Sequence, residues 1–296
     1  MIAATSALAL SLAAAAPAAP PAEPAGTVGA GTPATTGATD IGAGKFGTAA
    51  TAEEENLDAT ELQIAAGGIL NTGNSRSLAA TAAATFRIRR DIHQFGSAFA
   101  GNYAQAALDN TSPIRTTVGN VQGRVRYDVF FAKRWSAFGM VTARHDPFQG
   151  LALRLNVDPG VAFYAIQKKT HRLWFEAGYD YQYDYRTDEG RAVVDELGVP
   201  TGEELEVDRH GHAARLFGGY SNHLSEAVKF DTGLEYLQSF LEARRWRVNW
   251  DISLTASIAT RFALATTFVM RVDNDPLPGI KKIDTVTALS LLVTLI

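Results

Sequence analysis

From Leu62 onward the apolar residues recur at every second position over stretches of roughly 11 to 15 residues, and the helical period is almost absent. Successive side chains of a strand point to opposite faces, so each stretch has one greasy face and one wet face. Soluble strands average five or six residues, and these are far longer. Trp246, Val248, Trp250, Ile252, Leu254, Ala256 and Ile258 alternate with Arg247, Asn249, Asp251, Ser253, Thr255 and Ser257. Val121, Val125, Tyr127 and Val129 alternate with Asn120, Gln122, Arg124, Arg126 and Asp128, and Phe230, Leu234 and Tyr236 with Lys229, Asp231 and Glu235. Leu151, Leu153, Leu155 and Val157 oppose Arg154, Asn156 and Asp158 in the same way.

About twelve such segments follow one another, near 61–72, 76–89, 93–104, 116–129, 135–145, 151–166, 173–185, 210–221, 228–240, 246–258, 262–273 and 283–296. An even count suits a closed antiparallel barrel. Connections after even-numbered segments are short, whereas the long ones, 105–115, 186–209 and 274–282, all follow odd-numbered segments. Short turns at one end and longer loops at the other are the expected periplasmic and extracellular ends of a membrane barrel.

Alternation alone does not say which face looks inward, because a soluble lipocalin-like barrel has the same period. Aromatic placement separates the two. Phe99, Tyr103, Tyr181, Tyr183, Tyr185, Tyr236, Phe240, Trp246 and Trp250 fall near the loop end. Tyr127, Phe130, Trp135, Phe163, Phe175, Tyr220, Phe230 and Phe262 fall near the turn end. Two aromatic belts with aliphatic residues between them match the interfacial girdles of a membrane barrel. The fold expected is therefore all-β, a transmembrane antiparallel up-and-down β-barrel of about 12 strands over residues 61–296.

Composition removes other classes. The chain has no cysteine, so no disulfide scaffold or zinc-thiolate domain can be built from it. With 27 basic against 31 acidic residues in 296, it lacks the basic surplus of a nucleic-acid binder. Residues 1–16 are an Ala/Leu run too short to span a bilayer as a helix and have the pattern of a signal-peptide core. Residues 17–60 carry almost no large side chains and are expected to form a disordered periplasmic segment, with a possible short helix at Glu53 to Leu57.

The stretch Gly68 to Ser75, GILNTGNS, and the later Asp146-Pro147-Phe148-Gln149-Gly150-Leu151 followed by Arg154 and Gly160, resemble the salt-induced outer-membrane protein family over roughly Leu62 to Ile296. The resemblance implies an outer-membrane β-barrel of Gram-negative bacteria linked to osmotic or salt response, with no established enzymatic activity.

Projecting the polar faces inward gives a lumen lined by Arg87, Arg124, Arg126, Arg154, Glu176, Asp180, Arg215, Lys229, Asp231, Glu235, Arg247, Asp251 and Arg271. Charges of both signs on facing walls would create a transverse field for polar solutes, or would pair and seal the barrel, since unpaired buried charge is costly. Twelve strands lie between the filled eight-stranded and the open sixteen-stranded cases, so size does not decide.

The acidic segment 186–209 carries Asp188, Glu189, Asp195, Glu196, Glu203, Glu204, Glu206 and Asp208; it is expected as a solvated surface loop, with hard-cation binding as its alternative role. His210 and His212 share one strand face but no third ligand is fixed beside them, so no metal site is assigned. His223 close to Ser221 and Ser225, and His145 beside Asp146, do not make a nucleophile, base and orienter placed together. The expectation is a monomeric passive small-solute or ion channel, without enzymatic activity or cofactor. Its partners would be outer-membrane lipids, lipopolysaccharide and, during insertion, the barrel-assembly machinery.

Overall fold

The computed structural model describes residues 58–71, 76–107, 113–168, 170–194, 200–276 and 282–294. The expected signal segment, nearly all of the disordered segment, the Glu53 helix, Thr72 to Ser75 of the GILNTGNS stretch, and Asp195 and Glu196 lie outside them.

Twelve long strands close into one barrel: β1 (Asp58–Asn71), β2 (Arg76–Arg90), β3 (His93–Ala107), β4 (Arg115–Ala132), β5 (Trp135–Asp146), β6 (Leu151–Gln167), β7 (His171–Arg186), β10 (Asp208–His223), β11 (Val228–Ser239), β12 (Trp246–Ala259), β13 (Phe262–Asp273) and β14 (Ile283–Thr294). Every strand pairs antiparallel with its chain neighbour, and β1 closes on β14 with Gln63 opposite Thr294 and Ala66 opposite Leu291. Closure gives every strand two pairing edges, which is what permits a sheet to sit in hydrocarbon. β1 begins at Asp58, three residues before the expected boundary at 61.

Burial settles the direction of the faces. β5 alternates without a break: Ser136, Phe138, Met140, Thr142, Arg144 and Asp146 are buried, and Trp135, Ala137, Gly139, Val141, Ala143 and His145 are exposed. The greasy face of every patterned strand therefore looks outward. Val125 lies opposite Val141 on this outer surface, while Tyr127, Trp135, Phe175 and Phe262 stand exposed near the turn end and Phe99, Tyr103, Tyr185 and Phe240 near the loop end. Trp135 and Phe163 pair there at a centroid separation of 4.8 Å.

Three expectations need correction. Phe130 does not join the turn-end belt: it shares the parity of Asp128 and is 3% exposed inside the barrel. Leu151 was expected on the greasy face, but the register shifts between Leu151 and Leu153, and Leu151 turns in to become 3% exposed. The acidic segment exposes Asp188 and Glu204 to solvent as expected, but its described residues also form regular structure. A single helical turn, α1 (Asp188–Arg191), leads into a small hairpin of β8 (Ala192–Val194) and β9 (Pro200–Glu204).

The hairpin is tied to the rim. Arg186 Nη1 donates to the Glu206 carbonyl (2.5 Å), Arg191 Nε to the Leu205 carbonyl (3.2 Å), and Arg191 Nη2 pairs with Glu204 (2.6 Å). The turn Pro147–Gln149 ends on Gly150, whose φ of 70° suits glycine and whose N–H bonds the Pro147 carbonyl at 2.9 Å. The Gly150 carbonyl in turn accepts from Thr187 N–H at 3.0 Å, and a Cβ on Gly150 would meet the Gly190 backbone. Backbone contact between two glycines thus docks the acidic loop on the β5–β6 turn.

Because Val141 faces outward midway along β5, Val141→Arg is expected to cost about 2–4 kcal/mol in urea unfolding from lipid vesicles. A loss below about 1 kcal/mol would mean that this face does not contact hydrocarbon.

Candidate functional site

The lumen holds two cavities separated by a packed layer. The loop-end cavity is about 110 Å³ and is lined by residues that include Arg154, Asp180, Asp184, Arg186, Arg209, Arg245, Arg247, Asp273, Asp275 and Lys282. The turn-end cavity is about 370 Å³, with Glu61, Gln63, Arg87, Gln94, Arg126, Asp128, Arg172, Lys229 and Asp231 in its wall.

Between them lies a chain of charge-assisted hydrogen bonds. Arg126 on β4 pairs with Asp128 (2.9 Å) and reaches past β5 and β6 to Glu176 on β7 (2.8 Å). The second oxygen of Glu176 accepts from Arg215 on β10 (2.8 Å). Arg215 also pairs with Glu235 on β11 (2.6 Å), and Glu235 accepts from Asn249 on β12 (2.7 Å). Arg124, Arg126, Asp128, Glu176, Arg215 and Glu235 are all 0–4% exposed. For Arg126, Asp128, Glu176, Arg215 and Glu235 the cost of enclosing charge is offset by partners of good geometry, whereas Arg124 donates through Nη1 to the Met140 sulfur at 3.7 Å.

Alternating parity put these side chains inside, and the sequence also explains how they are held. The Arg126 guanidinium lies 4.1 Å over the Phe138 ring, and that of Arg89 4.2 Å over Phe130. A cation over an aromatic face is attracted by the ring quadrupole. Phe138 has room because Gly160, cross-strand from it, has no side chain: a Cβ there would overlap the ring and the Ala177 carbonyl. Phe130, Phe138, Met140, Ala162, Tyr164, Trp174 and Phe217 form one buried apolar cluster within the lumen. The inward face is thus not uniformly wet. The inward face also carries small buried residues, Ala79, Ala98, Ala100, Ala104 and Ala265, and Ala98 is the cross-strand neighbour of Arg124. Short side chains beside long ones leave the arginines room on the inward face.

The remaining expected lining residues distribute between the vestibules. At the loop end Arg154 holds Asp184 through two bonds of 2.6 and 2.7 Å, and Arg247 stands 3.8 Å from Asp180. At the turn end Arg87 pairs with Glu61 and donates to Gln94 (3.4 Å), while Lys229 pairs with Asp231 (3.1 Å). Arg271 is buried on β13, cross-strand from Asn249, and Asp251 is half-buried on β12. Asp128, Asp158 and Asp184 also face inward, each with the parity of an expected lining residue on its own strand, and β5, which contributes nothing to the expected set, adds Arg144 and Asp146. Arg144 bonds Asp146 at 2.5 Å at the rim.

His210 and His212 are on the outer face. Tyr181 Oη lies 2.8 Å from His210 Nδ1 and Tyr179 Oη contacts His212 Nδ1, within a ring cluster that includes Tyr183 and Phe240. They extend the loop-end belt. Among the described residues no group of three His, Cys, Asp or Glu is placed to hold a metal ion. Ser225 Oγ accepts from the Ala227 and Val228 N–H groups and so caps its turn, while His145 Nδ1 lies 2.7 Å from the Ala152 carbonyl.

These features define a twelve-stranded transmembrane β-barrel with an ion-paired, aromatic layer between two vestibules. The chain belongs to the family described as a protein of unknown function, DUF481, whose pattern matches residues 64–295. No curated protein matches it. Among solved structures it is similar to the NanC porin, at 11% identity and a TM-score of 0.48, over 80% of this chain and 100% of that one. It is also similar to the outer membrane channel DcaP of Acinetobacter baumannii, at 10% identity and 0.36, over 80% and 95%. A third likeness is to the COG4313 outer membrane channel from Pseudomonas putida F1, at 11% identity and 0.39, over 82% and 99%. Values this low carry no argument about what this barrel does.

Glu176 is shared by two buried arginines, Arg126 and Arg215. Glu176→Ala is expected to lower unfolding stability in vesicles by about 3 kcal/mol, since each arginine keeps a second carboxylate but loses half its compensation. An unchanged midpoint would show that the bridge contributes nothing.

Proposed function

We propose that the protein is a narrow outer-membrane channel for small polar solutes or ions, non-enzymatic and acting as a single copy, which rests with its ion-paired layer closed. The observation that carries this reading is the pair of charged vestibules on one axis, opening to opposite ends and separated by a single layer of side chains. A barrel serving only as a scaffold has no need of two solvated, charge-lined mouths. The layer is held by pairwise bonds between side chains on different strands, so it can part without breaking any backbone ladder.

The short turns face the periplasm and the docked acidic loop the cell surface, with a cleaved signal segment at the start of the chain. Lipopolysaccharide would contact the loop-end belt, and the barrel-assembly machinery would insert the chain. A role in the response of the envelope to salt would act through the part-exposed ion pairs of the vestibules, Lys229 with Asp231 and Arg245 with Asp275, because exposed pairs weaken as ionic strength rises while the buried layer is screened much less.

A second reading, a sealed structural barrel whose outer loops bind ligands or cations, is favoured by one specific observation. The six charged residues of the layer are 0–4% exposed.

Conductance of the refolded protein in a planar bilayer decides between them. The wild type is expected to show rare, small openings, and Arg124→Ser with Arg126→Ser to show frequent ones with a reversal potential in a KCl gradient shifted toward cation preference. Silence from both folded, inserted samples would support the sealed barrel.

A further inference from the structure

Beside the layer, two carboxylates share one spot on the lumen wall. Val157 lies opposite Tyr181 and Gly160 opposite Gly178, which sets Asp158 of β6 and Asp180 of β7 side by side on the inward face. Like charges directly across a ladder repel, and here they are 0% and 1% exposed, so water does not screen them. Both oxygens of Asp158 and Oδ2 of Asp180 have no hydrogen-bond partner.

The surrounding groups point to what compensates them. Asn156, 1% exposed, donates through Nδ2 to Asp180 Oδ1 (2.8 Å), which places its amide at the carboxylates, yet its own Oδ1 has no partner. Thr142, cross-strand from Asn156, is equally buried and its Oγ1 is also without a partner. Buried polar atoms left this way are costly, and those of Asp158, Asp180, Asn156 and Thr142 are all oxygens. Three arginines stand near the pair, none of them hydrogen-bonded to the two oxygens of Asp158 or to Asp180 Oδ2, and Arg124, cross-strand from Thr142, acts on Asp158 only through its charge. Arg215 is held by Glu176 and Glu235, and Arg247 stands 3.8 Å from Asp180 Oδ2, beyond hydrogen-bond distance, with Asp273 directly cross-strand as another partner.

We infer that Asp158, Asp180 and Asn156, with Thr142 at their edge, form a binding site for a hard divalent cation of the Ca²⁺ type inside the barrel, next to the loop-end vestibule. Two carboxylates, an amide oxygen and a hydroxyl are hard donors, and the irregular, adaptable geometry of Ca²⁺ suits ligands from two adjacent strands better than the strict octahedron of Mg²⁺. The cation would reach the site from the loop-end cavity, which Asp180 lines. Arg247 competes with the cation for Asp180 and would swing toward Asp273 when it binds. This site is independent of whether the barrel conducts.

The test is calorimetric titration of CaCl₂ into the full chain refolded in detergent micelles at pH 7, with folding of each sample checked by heat-modifiable gel migration. One Ca²⁺ per chain is expected for the wild type, with MgCl₂ binding more weakly. Affinity should fall by roughly tenfold or more in Asp158→Asn and Asp180→Asn, as removal of a charged ligand requires. Asn156→Ala should weaken it as well, and decides the matter if an aspartate variant fails to fold. The variant E203Q/E204Q/E206Q/D208N, which removes four of the eight acidic charges of the outer loop, should bind as the wild type does. Absence of binding by the wild type would overturn the inference and leave a proton shared between the carboxyls as the compensation. Binding that survives Asp158→Asn, or that vanishes with the loop charges, would overturn it too.

Discussion

No backbone group in the hydrocarbon core of a membrane can turn to water for a partner, and this requirement governs everything else in the molecule. The sheet meets it by closing β1 on β14, so that no edge is left exposed to lipid. Closure divides the side chains of each strand into two environments. Outward positions take Val, Leu and aromatic rings; inward positions can keep the charge that the outer surface excludes. Loops are confined to the rims, and there the acidic segment is held down by Arg186, Arg191 and the contact of Gly150 with Gly190.

The interior then faces a problem of volume. A barrel of this size is wider than eight strands, whose side chains just fill the lumen. Here Arg126 of β4 reaches past two strands to Glu176 of β7, Arg215 of β10 joins carboxylates on its neighbours β7 and β11, and buried alanines on β2, β3 and β13 leave them room. Pairing offsets the cost of desolvating the guanidinium groups, and Phe138 supports Arg126 from below. Gly160 links the sequence to this arrangement most directly, because the absence of its side chain lets Phe138 lie flat under the arginine. The result is a layer that is specific in its partners yet built only of side-chain contacts.

The barrel was legible because alternation is a local property: parity along β4, β5 or β12 assigns each side chain to one of two faces without knowledge of its neighbours. The twelve strands fall within a few residues of the expected segments for that reason. The errors have physical causes. Phe130 was grouped with the belt by its chemistry, although its parity with Asp128 places it inside, and Leu151 turned inward because a bulge changes parity within a strand. The hairpin β8–β9 escaped notice because its strands are short and its charges resemble those of a solvated loop.

The sequence by itself determined the strands and, through the two aromatic belts, which face meets lipid and which charges enter the lumen, because a period of two divides side chains between two faces and the placement of the rings tells those faces apart. Only the tertiary structure decided whether those charges would line a continuous channel or meet one another. Arg126 and Glu176 stand 50 positions apart, and their meeting depends on how the closed sheet curves. The same holds for Asp158 and Asp180, whose juxtaposition follows from the β6–β7 register. Distance across a closed sheet is set by strand register and closure together, and no local pattern of residues carries it.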